Sequence, residues 1–125
     1  MSDTALRNDY AAGQSDTRPW GDWAVIDAGP GFTVKRIRVT PGGILSLQRH
    51  QHRQEQWTIV AGAARVTRNT ETIDLEAGES IGIGLGDIHR IANPGADDMV
   101  FIEVQTGREL REDDIERLAD TYGRS

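Results

Sequence analysis

The sequence predicts a small all-β protein, a sandwich or barrel of short strands. Nine short runs with strand-like composition alternate with turn residues, a spacing typical of such folds. At 125 residues the chain has the length of one domain, since domains usually hold about 100–200 residues. The runs are 23–27, 33–39, 45–48, 56–60, 64–67, 72–75, 80–83, 88–92 and 99–105.

Turn residues separate these runs. Pro30-Gly31 stands between the first and second runs, Pro41-Gly42-Gly43 between the second and third, and Asn93-Pro94-Gly95 before the last. Proline presets the backbone of a turn, and glycine and asparagine tolerate its left-handed positions. The alternation of strands and turns therefore extends from residue 23 to residue 105.

The two ends of the chain depart from this pattern. Residues 1–17 are polar, and we expect them to form a flexible leader before a single domain over 18–125. The acidic run 112–114 favours a helix start, because negative side chains are stabilised at a helix N-terminus. We therefore expect a short C-terminal helix. Three side chains would share one face of it: Ile115, Leu118 and Tyr122.

Composition excludes several functions. The net charge of −6 argues against nucleic-acid binding, which needs a basic surface. The chain has no cysteine, so disulfides, thiolate metal sites and cysteine nucleophiles are excluded. No run approaches the roughly 20 apolar residues that span a bilayer, and no signal peptide is recognisable. We expect a cytoplasmic protein without a membrane partner.

All three histidines fall in two short motifs. Gln48 and His50 are two residues apart and share a face of a strand, Glu55 opens the next strand, and His89 opens a later one. If these faces turn inward, an amide oxygen, two imidazoles and a carboxylate converge. That donor set suits a divalent first-row metal, with zinc as the first expectation and iron, manganese, cobalt and nickel as alternatives.

The glycine frame around these donors resembles the two motifs of the cupin superfamily. Motif one reads Gly42, five residues, Gln48, one residue, His50, four residues, Glu55, six residues, Gly62. Motif two reads Gly78, five residues, Gly84-Leu85-Gly86, two residues, His89, three residues, Asn93. Cupins usually have histidine at the place of Gln48 and proline at the place of Gly84. The resemblance implies a double-stranded β-helix barrel, and cupins often pair through their sheets, so a homodimer is a further expectation.

A second alignment of motif one stays open. His50-Gln51-His52 is itself a His-x-His sequence, and both rings would share a face of a regular strand. The glycine spacing is lost in that alignment. We therefore expect the ligands Gln48, His50, Glu55 and His89, with His52 as the alternative ligand.

A closer resemblance points to the type II phosphomannose isomerases. It rests on the string SLQRHQHRQEQW at 46–57, on Arg18-Pro19-Trp20-Gly21, and on Glu112-Asp113-Asp114-Ile115 near the end. Those enzymes have a glutamine in their metal set. In them the cupin follows a domain that makes GDP-mannose, which we do not expect in 125 residues. The resemblance implies a stand-alone, metal-dependent isomerase that interconverts mannose 6-phosphate and fructose 6-phosphate.

Four further residues are candidates for that chemistry. An isomerase needs an acid–base group, and Lys35 and Glu103 are the candidates for it. Arg53 and Arg90 are candidates for holding the sugar phosphate, because guanidinium matches phosphate geometry. Departures from the family at Gln51 and Gln56, where histidine is common, leave the ligands intact.

Two other functions fit the same residues. His50, Glu55 and His89 form a two-histidine, one-carboxylate set, which is typical of Fe(II) oxygenases. The chain could also be a non-catalytic cupin that binds a sugar or another effector, because one fold hosts many functions.

Overall fold

The computed structural model describes residues 6–122, and within them it contains β-strands but no helix. Residues 1–5 and 123–125, which belong to the predicted leader and to the end of the predicted domain, lie outside the described residues. The prediction of an all-β fold is confirmed. The strands are β1 (Arg7–Asn8), β2 (Ser15–Arg18), β3 (Gly21–Gly29), β4 (Phe32–Val39), β5 (Leu47–Arg49), β6 (Gln54–Ala61), β7 (Ala63–Arg68), β8 (Glu71–Glu76), β9 (Ser80–Ile83), β10 (His89–Ala92), β11 (Met99–Thr106), β12 (Glu109–Leu110) and β13 (Glu116–Ala119).

Two antiparallel sheets make up the body of the fold. The larger has the strand order β2-β3-β4-β11-β6-β9 and the smaller the order β13-β5-β10-β7-β8. A short parallel pair joins β1 to β12. Some neighbouring strands are consecutive in sequence, such as β3-β4 and β7-β8. Others, such as β4-β11, β11-β6 and β5-β10, join segments far apart in the chain.

The inner face of the larger sheet is apolar in one part and polar in another. Ile37, Phe101 and Ile59 pair across β4, β11 and β6 and are at most 5% exposed. Two residues further along β4 and β11, Lys35 pairs with Glu103. Period-two alternation places all of these side chains on one face. The apolar part forms the core, and the polar part lines a cavity.

Two turn positions need special backbone geometry. Asn69 connects β7 to β8 with a φ of 55°, a left-handed conformation that asparagine tolerates better than most residues. Gly62, between β6 and β7, has a φ of 77°, and a Cβ there would lie 2.7 Å from the Asp98 carbonyl oxygen. These two residues let the chain reverse where the sequence predicted turns.

Most of the predicted leader is part of the fold in the structure. β2 pairs with β3 at the edge of the larger sheet, and the Asn8 amide donates to the carbonyls of Gly29 and Phe32 at 2.9 and 2.8 Å. Tyr10 is only 8% exposed. The structure thus differs from the expected flexible segment between residues 6 and 17, because hydrogen bonds to distant strands order a stretch with few apolar residues.

The predicted C-terminal helix is wrong. The segment forms β13, which pairs with β5, and the Asp114 carboxylate accepts hydrogen bonds from the backbone N–H groups of Gln51 and His52 at 3.0 and 2.9 Å. The acidic side chain therefore caps a distant loop and not its own helix. Strand pairing with β5 outweighs a helix preference that rested on a few residues.

The described residues include no helix that is long and apolar enough to cross a membrane.

Candidate metal centre

The three strongest ligand candidates come from different strands and meet between the two sheets. Glu55 lies on β6 of the larger sheet, His89 begins β10 of the smaller sheet, and His50 follows β5. Their ligand atoms all lie within 4.8 Å of one another, and all three side chains are buried. The His50 and His89 ring centroids are 5.0 Å apart.

Gln48 lies beside this cluster, as the spacing predicted. It is the register partner of His89 across β5 and β10. Its Nε2 donates to the Ser46 hydroxyl at 2.9 Å and lies 3.4 Å from the Ser46 carbonyl oxygen. Because Ser46 holds the amide nitrogen, the amide oxygen is the atom left to act as a ligand.

His52, the alternative ligand, lies outside the cluster. Its side chain is 41% exposed, and its Nδ1 is 3.7 Å from a carboxylate oxygen of Glu109. The chain leaves β5 after Arg49, so the strict strand alternation that would place His50 and His52 together does not apply. The structure brings together the set that keeps the cupin glycine spacing.

Neighbouring groups hold the candidate ligands by hydrogen bonds. The His89 Nδ1 donates to the Asp87 carbonyl at 2.8 Å, which leaves Nε2 with a free lone pair, the arrangement usual for metal-binding histidines. The Trp57 indole donates to Glu55 Oε1 at 2.8 Å. Arg53 donates from Nε to Glu55 Oε2 at 2.9 Å and from Nη2 to His50 Nε2 at 3.0 Å.

The protonation states suit a divalent cation. Burial lowers the pKa of His50 to about 3, against the opposing effect of Glu55, so the ring is neutral at physiological pH. Burial opposes ionisation of Glu55, but the Arg53 guanidinium, helped by the Trp57 hydrogen bond, outweighs it and holds the pKa of Glu55 below its usual range. Neutral imidazoles and an ionised carboxylate are the forms that bind metal. The residues therefore fit a divalent metal ion.

A cavity of about 160 Å³ lies next to the cluster. Glu55, His89 and Gln48 line it, as do the two acid–base candidates, Lys35 and Glu103. Glu103 is 6% exposed and accepts a hydrogen bond from Gln105 Nε2 at 2.8 Å. Burial and the nearby Glu55 raise the pKa of Glu103 to about 7, while Lys35 and Arg53 oppose the rise.

The two arginines expected to hold phosphate both line the cavity but already have protein partners. All three nitrogens of Arg53 are within 3.4 Å of Glu55, His50, Tyr10 or Arg111 atoms. Arg90 donates from Nε to the Leu45 carbonyl at 3.0 Å. Arg53 contacts two of the candidate ligands, Glu55 and His50. Arg90 ties β10 to the segment before β5.

Sequence reasoning missed three residues at the site. Asp114 holds the loop after His50, Ser46 orients Gln48, and Tyr10 contributes to the cavity wall. Tyr10 is the one aromatic residue in the polar stretch 1–17, and that exception could have indicated that it is buried. Nothing in the local sequence signalled the partners of Asp114, because its contacts join segments about sixty residues apart. Ser46 is two residues from Gln48 and could have been found from strand alternation.

Relatives of the chain are biosynthetic proteins. It is 53% identical over 108 residues to the xanthan biosynthesis protein XanB of Xanthomonas campestris pv. campestris, covering 86% of this chain and 23% of that protein. It is 52% identical over 107 residues to the mannose-1-phosphate guanylyltransferase ManC of Salmonella typhimurium, covering 86% of this chain and 22% of that protein. The chain thus spans about a quarter of the length of these curated relatives.

These relatives correct the predicted function. The sequence predicted that the chain's function is to interconvert mannose 6-phosphate and fructose 6-phosphate. That prediction is wrong as an account of the protein, because the relatives are named for guanylyl transfer and polysaccharide biosynthesis and are about four times longer than the matched region. These relatives are not named as stand-alone cupin isomerases.

Solved structures support the predicted architecture. A protein of Klebsiella pneumoniae with a double-stranded β-helix domain matches with a TM-score of 0.69 at 20% identity, over 78% of each chain. At that identity the likeness shows the fold alone, and it confirms the cupin fold that the glycine frame predicted.

The family assignment rests on most of the chain. The family model described as the C-terminal domain of mannose-6-phosphate isomerase matches residues 5–120. This range contains both histidine motifs and all the strands of the structure. The chain therefore belongs to the family of mannose-6-phosphate isomerase C-terminal domains, with a cupin fold.

Proposed function

We propose that this domain binds a divalent metal ion and, beside it, a sugar phosphate on which Glu103 performs acid–base chemistry. The observation that carries the proposal is the buried cluster of His50, Glu55 and His89, whose ligand atoms lie within 4.8 Å of one another and of which Glu55 and His89 line a cavity. Gln48 would be the fourth ligand. The donors are nitrogen and oxygen atoms, which suits a first-row ion, with zinc as the first candidate.

A sugar phosphate is the ligand class that the family name and the ManC name suggest. A bound divalent ion would polarise a carbonyl or hydroxyl oxygen of that ligand. Glu103 would exchange a proton with the ligand, because a carboxyl group with a pKa of about 7 both donates and accepts protons near neutral pH. The buried walls of Trp57 and Ile37 would exclude water from that exchange.

The first experiment tests the metal. Elemental analysis of the purified protein should find close to one divalent ion per chain, and His89→Ala and Glu55→Ala should lose it. His52→Ala is the matched control, because His52 is exposed and lies outside the cluster. Equal metal loss in all three variants, or in none, would contradict the proposal.

The second experiment tests the ligand and the proton transfer. Calorimetry of the metal-loaded protein should detect mannose 6-phosphate or mannose 1-phosphate, and chelation should abolish that binding. Solvent deuterium should enter a carbon-bound position of mannose 6-phosphate with the wild type and not with Glu103→Gln, because hydroxyl hydrogens exchange with solvent without a catalyst. Binding without deuterium exchange would reject the acid–base role and leave a binding domain.

Two expectations from the sequence stay predictions. One is pairing of two copies of this chain, and the other is a cytoplasmic location.

A further inference from the structure

Lys35 is held by aromatic rings at the cavity wall. Its Nζ lies 4.2 Å from the ring centroid of Tyr10 and 4.8 Å from that of Trp23. All three residues line the cavity. Ring faces attract an ammonium group, and the attraction grows as water is excluded. The two rings therefore fix the position of a cation on the flexible stem of a lysine.

The ammonium has no close ion pair. Among residues 6–122, no carboxylate oxygen lies within 4.0 Å of Lys35 Nζ, although several arginines there have such partners. Other cations of the cavity are engaged: Arg18 pairs with Asp16, and Arg53 pairs with Glu55. Glu103, the cross-strand neighbour of Lys35, acts on it only from beyond ion-pair distance. A half-buried cation without a carboxylate in direct contact is suited to an anionic ligand.

The separation between Lys35 and the metal cluster also fits the length of a hexose phosphate. Lys35 is opposite Glu103, and Glu103 is opposite Trp57, so two strand spacings of about 4.8 Å each separate the backbones of Lys35 and Trp57. Glu55 is two residues from Trp57 on the same strand and face. A hexose phosphate with its ring near Glu55 and Glu103 would extend its phosphate toward Lys35.

We propose that Lys35, held between Tyr10 and Trp23, binds the phosphate group of the ligand. The inference rests on the proposed function, because it names the group that selects phosphorylated sugars at the same site. It gives Lys35 a binding role in place of the acid–base role expected from the sequence. It also makes Tyr10, which comes from the segment expected to be a flexible leader, part of the site.

The chain offers a direct probe, because Lys35 is its single lysine. Reductive methylation with ¹³C-formaldehyde labels the Lys35 amine and the N-terminal amine, and the Lys35→Met protein identifies which methyl signal belongs to Lys35. Inorganic phosphate and mannose 6-phosphate should shift the Lys35 signal in the metal-loaded protein, and unphosphorylated mannose should not.

Affinity provides the second readout. In calorimetry Lys35→Met should weaken binding of mannose 6-phosphate by about 10- to 100-fold, the range expected for loss of a hydrogen bond to a charged group. Lys35→Arg keeps the charge and should retain most of the affinity. Arg36→Met is the matched control, because Arg36 is the next residue on β4 but is exposed on the other face. All variants should retain the metal.

The outcomes separate this inference from the proposed function. If mannose 6-phosphate binds but neither the Lys35 signal nor the affinity of Lys35→Met changes, the inference is overturned and the proposed function stands. If inorganic phosphate shifts the Lys35 signal but no sugar phosphate binds, Lys35 binds anions, and both the proposed function and the assignment of Lys35 to a sugar phosphate are overturned. If no anion shifts the signal and none binds, both are overturned.

Discussion

Lys35 and Glu103 lie directly opposite each other on the antiparallel strands β4 and β11, and both side chains line the cavity. Glu103 also neighbours Trp57 on β6 and is influenced by the charges of Glu55 and Arg53. Burial and the negative charge of Glu55 keep a proton on Glu103 at a pH where an exposed carboxyl group has lost it. The pair therefore places a protonatable acid beside a fixed cation.

The raised pKa of Glu103 predicts a pH-dependent stability. Its folded pKa of about 7 exceeds its ordinary value of 4.5, so its contribution is fully present below about pH 4.5 and is lost as the pH rises through 7. The free energy of unfolding of the wild type, relative to Glu103→Gln, should fall across that interval by on the order of 1–3 kcal/mol. Urea titrations between pH 4.5 and 8 at equal metal content measure this difference.

The comparison with Glu103→Gln isolates Glu103, because the other groups that face it, Glu55, Lys35 and Arg53, are the same in both proteins. A difference that stays constant with pH, or that grows as the pH rises, would contradict the raised pKa.

Ser46 is predicted to act on metal affinity through Gln48. Ser46→Ala removes the hydroxyl that accepts from Gln48 Nε2 at 2.9 Å, so the amide is free to rotate its oxygen away from the cluster. We expect about 10-fold weaker metal binding, at the low end of what loss of an orienting partner costs. Competition with a fluorescent chelator measures it. Ser80→Ala is the control, because it removes only an exposed hydrogen bond between Ser80 and Thr58, and it should leave the metal affinity unchanged. An equal effect in both variants would reject the role of Ser46.

Asp114 is predicted to stabilise the loop after His50. Asp114→Ala leaves the backbone N–H groups of Gln51 and His52 without their acceptor, which should lower the free energy of unfolding by about 1–3 kcal/mol. Asp114→Asn retains one acceptor oxygen and should cost less. Denaturant titration measures both. The control is Asp113→Ala, because the Asp113 side chain is 77% exposed. If both alanine variants lost the same free energy of unfolding, the loss would come from the charge and not from the loop contact.

Phe101 is predicted to be among the residues on which stability depends most. It is 0% exposed and its ring contacts Trp57 with centroids 5.3 Å apart, so Phe101→Ala should destabilise the fold by about 3–5 kcal/mol. Ile26→Ala is the comparison, because Ile26 is 49% exposed and should change stability by less than about 1 kcal/mol. Thermal unfolding followed by circular dichroism measures both, and similar midpoints for the two variants would contradict the assigned core.

The sequence could predict whatever depends on local pattern. Strand alternation and turn residues indicated the all-β fold, and the spacing of Gln48, His50 and Glu55 identified the candidate ligands that the structure brings near His89. Prediction from the sequence was wrong where pairing with a distant segment outweighs the local conformational preference. The acidic run before Ile115 resembled a helix start, but Asp114 accepts hydrogen bonds from a loop about sixty residues earlier.

By itself, then, the sequence determined the all-β fold, the turns and the set of metal-ligand candidates, because strand periodicity dictates which side chains share a face. Only the tertiary structure decided that Arg53 is paired with Glu55, that Lys35 has aromatic neighbours and no close carboxylate among the described residues, and that Tyr10 belongs to the site. Those relationships come from long-range strand pairing and burial. Strand pairing and burial determine which partner each side chain has and which charges surround it. The spacing of residues along the chain does not encode either of these.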